Sequence, residues 1–463
     1  MKVAQRDLLL GPALSLNRGR SAEIRFSRQP DRRLTPWIIQ GSTILCLLLA
    51  AGVSLAADWP AWRGPLGTGV SEETDLPVRW SPTENVRWRV ALPERGNSTP
   101  IVWKDRVFLT QAVGAQRTLM CFGRADGKVL WQRGVPTRHA DDPTHSTNPY
   151  CSASPVTDGQ RVIAWFGSDG LHCYDLAGRR LWARDLGVQR HIWGYGSSPV
   201  IHGDLCFLNF GPGDRSFLVA LDKKTGKTVW QHDEVSGYGK PADDDVRGSK
   251  DRERATYIGS WSTPVLMPAD GPPQMLLSWP RRLAAYDPRT GRELWTCSGL
   301  NPLVYTSPVY EGETVVALGG FGGMGLAVKT GGSGDVTESR RLWHHPRTKQ
   351  RIGSGVVHQG HLYIHNDPGV AECFELATGT LVWEQRLRGP GKTGQNWSSV
   401  MLAGGNCYTI TQGGDCFVFK ASPQFELVAV NSLGERSNSS VVPAGGKLFL
   451  RTHEALWCIG AKK

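Results

Sequence analysis

Eight copies of one short pattern run along this chain, and they constrain its fold more than any other feature. Each copy opens on small residues followed by proline or a second small or apolar residue. A β-rich run comes next, and then, in the fullest copies, Thr-Gly leads into a closing tryptophan. The clearest copy runs Ser197-Ser198-Pro199-Val200, then Leu205-Cys206-Phe207-Leu208, then Ala220 to Trp230 through Asp222, Thr225 and Gly226. Other openings are Ser98-Thr99-Pro100, Ala153-Ser154-Pro155, Ser262-Thr263-Pro264 and Thr306-Ser307-Pro308. Three lack proline: Ser354-Gly355-Val356, Ser398-Ser399-Val400 and Ser439-Ser440-Val441. Closing tryptophans stand at Trp131, Trp182, Trp230, Trp295, Trp343 and Trp383, spaced 51, 48, 65, 48 and 40 residues apart.

The runs between landmarks alternate as strands do, for example Arg106-Val107-Phe108-Leu109 and His361-Leu362-Tyr363-Ile364. The Asp-x-x-Thr-Gly segment makes a hairpin turn. Four short strands repeating every 40–50 residues indicate an all-β propeller of eight four-stranded antiparallel blades. With 55 glycines and 29 prolines, long helices are disfavoured. The last copy ends at Leu456-Trp457-Cys458-Ile459 without its own tryptophan strand, and Val86-Arg87-Trp88-Arg89-Val90 precedes the first opening. The amino-terminal strand is therefore expected to complete the carboxy-terminal blade and remove a free sheet edge. Residues 86–463 form the propeller on this reading, and 57–85 a leader packed on it.

The stretches Ala220–Trp230 and Ala285–Trp295 resemble the tryptophan-docking motif of the PQQ-like repeat β-propeller family (the quinoprotein alcohol dehydrogenase-like superfamily). The resemblance covers nearly all of 58–460, including the leader Asp58-Trp59-Pro60-Ala61-Trp62-Arg63-Gly64-Pro65. It implies one of two activities. Quinoprotein dehydrogenases of this superfamily bind pyrroloquinoline quinone (PQQ) and calcium. Non-catalytic eight-bladed members, similar to the BamB-like outer-membrane assembly factors, do not. The dehydrogenases commonly carry an adjacent cysteine pair, a Glu/Asn/Asp calcium set and a catalytic Asp. The cysteine pair is missing here and the other residues find no confident match. The repeat departs from the family pattern in a second motif one residue short (Cys173–Trp182), a Gly-rich fifth unit (Gly331-Gly332-Ser333-Gly334) and a seventh unit without tryptophan.

Within the repeat, the six closing tryptophans and Trp88 are expected to dock blade on blade. Cys121, Cys173, Cys373, Cys416 and Cys458 fall at the position that alanine fills at Ala220 and Ala285, which marks a small buried slot rather than a redox centre. His358, His361 and His365 lie along strands without a converging ligand set, so no metal is expected, and His344-His345 reads as solvated loop. Gly319 to Gly323 reads as a turn. Asp141-Asp142 and Asp243-Asp244-Asp245 sit in long connections without calcium-loop spacing. No nucleophile elbow or phosphate-binding loop stands out, so no catalytic residue is assigned and no cofactor is expected outside the PQQ–calcium alternative.

The longest connections, such as 132–152 and 231–260, join one blade's outer strand to the next blade's inner strand. They share one face, which makes the channel mouth the expected binding site. Trp193, Trp261 and Trp397 fall next to openings. Counting back from the openings, Arg95, Arg351 and Arg436 stand three residues before, with Tyr150 in the same place in the second unit. Asn97, Trp261, Tyr305, Trp397 and Asn438 stand one residue before. Converging guanidinium groups would suit an anionic ligand or a peptide carboxylate.

The amino-terminal 1–56 reads as an export signal with a long basic first region. It carries eight basic and three acidic residues, then an uncharged run from Trp37 to Ala57 closed by Ser54-Leu55-Ala56. Cleavage is favoured over a retained membrane anchor. Much of the net charge of +11 lies in this segment, and the remainder has no basic run that would track nucleic acid. The expectation is an exported, periplasmic or extracellular, non-enzymatic propeller that binds protein, peptide or glycan partners, with a PQQ/calcium-dependent alcohol or sugar dehydrogenase as the alternative.

Overall fold

The computed structural model describes residues 58–138, 145–191, 193–234, 259–269, 271–320 and 322–461. The signal segment, Cys46, Asp141-Asp142 and Asp243 to Asp245 lie outside these. Among the described residues, eight antiparallel sheets follow one another. Blade 1 is Ile101–Trp103, Arg106–Val113, Gln116–Gly123 and Val129–Pro136, paired in chain order from the inner strand outwards. Blades 2 to 7 repeat this order over 156–184, 200–233, 265–298, 309–345, 356–386 and 401–432. Blade 8 takes its three inner strands from 442–459 and its outer strand from Val86–Ala91, with Trp88 opposite Cys458. The expected closure is therefore present, and among the described residues helix is confined to two short turns.

The repeat has a physical explanation. In seven blades a tryptophan of the outer strand pairs with a small buried residue of the third strand: Trp131 with Cys121, Trp182 with Cys173, Trp230 with Ala220, Trp295 with Ala285, Trp343 with Ala327, Trp383 with Cys373 and Trp88 with Cys458. Blade 7 has no tryptophan, and the pair there is Ala429 with Val418. The register corrects the placement of Cys416, which lies two residues before the slot, opposite Asn431. All nine described cysteines are buried and free. Burial pushes the thiols of Cys121, Cys173, Cys373 and Cys458 up to about 12, which fits packing rather than reactivity.

Six of the seven indoles also reach the next blade. Trp182 Nε1 donates to the carbonyl of Lys223 at 3.0 Å, and its ring lies over Gly226. A Cβ at Gly226 would stand 2.7 Å from that ring, and its φ of +70° already favours glycine. Thr-Gly and Trp are thus two halves of one interblade contact. The same bond links Trp88 to Arg124, Trp131 to Leu176, Trp230 to Pro288, Trp343 to Leu376 and Trp383 to Ser422. Junction 4–5 differs because the Gly-rich expansion replaces the turn. Trp295 bonds Gln274 within its own blade, and Gly334–Asp335 adds a parallel strand against Trp295 and Thr296. At junction 7–8 the leader substitutes, with the backbone N–H of the buried Trp80 donating to Asn431.

The leader crosses the face that carries the turns between first and second strands. Trp59 bridges Val102, and the Pro60 carbonyl accepts from Thr157 N. The Arg63 guanidinium donates to carbonyls of Ser354, Gly355 and Val400. Val70–Ser71 runs parallel to Leu402 and Ala403. His344 and His345 are strand residues, not loop: His344 Nε2 meets the Gly299 carbonyl at 3.0 Å, and His345 stacks on Trp343. No helix among the described residues is long and apolar enough to cross a membrane.

The channel mouth as candidate functional site

The inner strands converge on one closed circle of hydrogen bonds. The backbone N–H of Thr99 donates to Ser154 Oγ, that of Ser154 to Ser198, and so on through Thr263, Ser307, Ser354, Ser399 and Ser440 back to Thr99. The eight distances lie between 2.8 and 3.0 Å. Every member is buried. A hydroxyl is needed at each position because a buried N–H without a partner is costly. This explains why the opening pattern ends in Ser or Thr in all eight copies.

Side chains of extended backbone return to the same face every second residue. The residues two positions before the ring therefore stand above it on the channel wall. They are Asn97, Ser152, Gly196 and Trp261 in blades 1 to 4, and Tyr305, Ile352, Trp397 and Asn438 in blades 5 to 8. All eight are half-buried, and the residue on either side of each is buried. All eight line a cavity of about 300 Å³ whose wall also includes Asn148, Trp193, Gln350 and, from the leader, Trp62.

The wall has two halves. On one, the rings of Trp261 and Tyr305 meet edge to face at 5.0 Å, and His191 sits against Trp261 at 4.8 Å. Trp261 Nε1 donates to the Gly194 carbonyl and Trp397 Nε1 to Asp367, which fixes both indoles. Burial pushes His191 down to about 3, so that ring is neutral. Trp193 is 39% exposed, with the His145 ring tilted against it at 4.1 Å. On the other half, Asn97 Nδ2 donates to the Thr147 carbonyl and to Asn148 Oδ1, Asn438 Nδ2 donates to Asn97 Oδ1, and Ser152 Oγ donates to Asn148 Oδ1. The described lining contains no Asp, Glu, Lys, Arg or His.

Of the nine residues singled out from the sequence, Asn97, Trp261, Tyr305, Trp397 and Asn438 come together on this wall. The other four do not. Tyr150 lies under the Arg117 guanidinium, 4.1 Å away, and packs against the core between blades 1 and 2. Arg95 and Arg436 are exposed on the surface. Burial, then the charges of Arg451, Arg436 and Arg95, push the nearby His453 down to about 4. Arg351 is 1% exposed and pairs with Glu372 at 3.4 Å, with Asn366 Oδ1 at 3.1 Å. The hydroxyl circle shows that Gly353, not Ser354, opens blade 6. Arg351 therefore stands one residue out of register with Arg95 and Arg436, and a one-residue shift turns a side chain to the other face. Gln350 is the true counterpart of Arg95 and Arg436. None of the three arginines lines the described cavity. Ser152, Gly196 and Ile352 escaped attention because they are neither charged nor aromatic, although aligning the hydroxyls would have found them. His358, His361 and His365 form no metal cluster, and the described residues contain no group of three or more candidate ligands.

The family model described as outer membrane protein assembly factor BamB matches residues 70–245 and 214–462. No curated protein sequence matches the chain. Among solved structures, BamB from Moraxella catarrhalis is 14% identical with a TM-score of 0.55, over 81% of this chain and 96% of that one. A quinohemoprotein alcohol dehydrogenase from Comamonas testosteroni is 11% identical with a TM-score of 0.63, over 88% and 81%. The computationally designed Ika8 protein is 10% identical with a TM-score of 0.54, over 81% and 100%. At these identities the likeness is one of fold.

Proposed function

Since the chain belongs to the PQQ-like repeat β-propeller family of the outer membrane protein assembly factor BamB, we propose that it is a non-enzymatic binding or scaffold module whose partners engage the channel mouth. The observation that carries this reading is the chemistry of the mouth. Its described wall is aromatic, amide and hydroxyl, without a carboxylate, amine, guanidinium or imidazole, so it presents no side chain of the kinds that most often serve as a general base at neutral pH. Aromatic rings fixed by their own hydrogen bonds on a rigid scaffold suit recognition. The BamB match and the basic, then apolar, amino-terminal sequence support an exported protein of the cell envelope. Envelope proteins, peptides or glycans are the partners proposed.

The dehydrogenase alternative asks for a different wall. PQQ carries carboxylates, and calcium needs hard, preferably anionic oxygen ligands. The described wall has no cation for the former and no carboxylate for the latter, so these residues do not fit that group. Calorimetric titration of PQQ with calcium into the full chain, followed by a dye-linked alcohol and aldose oxidation assay, tests the proposal. The expected result is neither heat nor turnover. Stoichiometric binding with turnover would overturn it.

A further inference from the structure

Deepening that reading of the channel mouth, on which this inference rests, we propose that the cavity is a binding site for a neutral saccharide of one or two sugar units. Four features of the cavity bear on its occupant. First, no described lining residue is charged at neutral pH. An anionic ligand would find no cation among the described lining residues. Second, Trp193, Trp261, Tyr305 and Trp397 supply aromatic surface, on which the C–H face of a pyranose ring packs.

Third, the polar groups of the wall are not saturated. The Gln350 carboxamide makes no hydrogen bond with the described residues, although its backbone carbonyl accepts from Asp367 N. Six members of the hydroxyl circle, Thr99, Ser154, Ser198, Thr263, Ser399 and Ser440, line the cavity. Each accepts a backbone N–H and gives its own proton to no described protein atom. A hydrocarbon ligand would strip water from these groups and leave them unpaired. A sugar presents hydroxyls that both donate and accept around an apolar ring face, which matches the aromatic and the polar groups of the wall at once. Fourth, a volume of about 300 Å³ lies at the lower end of the ~300–1,000 Å³ of small-molecule sites. The leader's Trp62 and the hydroxyl circle belong to its lining, and the volume suits a small ligand.

The test is a titration of the full chain with N-acetylglucosamine, maltose, cellobiose, galacturonate and betaine, read by intrinsic tryptophan fluorescence and calorimetry. At least one neutral sugar is expected to saturate the protein. Trp261→Ala and Gln350→Ala are each expected to weaken that sugar about tenfold or more, while Trp261→Phe retains most of the affinity and reports on folding. The proposal is overturned if no neutral sugar saturates the protein, if galacturonate or betaine binds more tightly than every neutral sugar, or if Trp261→Ala and Trp397→Ala leave the affinity unchanged. A photo-crosslinker at position 193 separates this from the broader reading. Capture of an envelope protein there, without any sugar response, overturns the saccharide and leaves the binding module standing. Quinone-dependent turnover overturns both.

Discussion

Two sets of residues stand two positions apart in every blade, face the same channel and follow opposite rules. The inner set is Ser or Thr in all eight blades, because each hydroxyl must accept one backbone N–H of the neighbouring blade. The outer set holds Asn, Ser, Gly, Trp, Tyr, Ile, Trp and Asn in turn. One is dictated by ring closure and the other is released from it. In a repeat protein the positions that escape the repeat are those free to acquire a partner, and here they gather on one cavity wall. Tryptophan occurs in both kinds of place. Trp295 closes a blade and is 1% exposed, whereas Trp261 on the rim is half-buried and meets its neighbours through the Gly194 carbonyl and the rings of Tyr305 and His191.

That contrast can be broken most sharply with the same substitution at two sites. Trp295→Ala is expected to cost about 3–5 kcal/mol of stability in chemical denaturation, whereas Trp261→Ala is expected to cost about 1 kcal/mol. Equal losses would mean that the rim is also architecture. Serines two residues apart give the next comparison. Ser154→Ala orphans the Thr99 N–H and is expected to cost about 1–3 kcal/mol; Ser152→Ala on the rim should stay within about 0.5 kcal/mol.

Acid sharpens the picture from another side. Burial holds His191 and His365 down to about 3 and His453 to about 4. Their folded values lie below the unfolded value of 6.5. They are neutral in both states above pH 6.5, and below it only the unfolded chain binds protons readily. Their contribution to stability is therefore expected to fall as pH drops from about 6.5 towards 3–4, seen as a falling melting temperature. The smallest effect concerns the thiols. With Cys121, Cys173, Cys373 and Cys458 near 12, none of the four should be alkylated at pH 8 until the protein unfolds. Mass spectrometry after brief labelling checks this.

The propeller was legible in the sequence because its landmarks are obligatory contacts. Gly226 lies under Trp182, and the opening hydroxyls pair across blades, so both must recur. Legibility failed where a landmark was missing. Blade 6 has Gly353-Ser354 without a following proline, and taking Ser354 as the first residue moved Arg351 onto the channel face. Blade 7 has no tryptophan from which to count back, and Cys416 took the place of Val418. At the site, Asn97, Trp261, Tyr305, Trp397 and Asn438 were visible as polar or aromatic residues beside openings. The uncharged character of the wall was not, because it depends on where Arg95, Arg351 and Arg436 turn, and that is set by burial and by partners distant in sequence such as Glu372.

The most direct test of the central claim is a ligand-dependent thermal melt of the wild type and of a variant with Trp261, Tyr305 and Trp397 all replaced by alanine, using the best-binding neutral sugar. The account predicts a cooperative melt for both proteins, raised by ligand in the wild type and unmoved in the variant. A variant that no longer melts cooperatively, or one whose melting temperature the ligand still raises to the same extent, would contradict it.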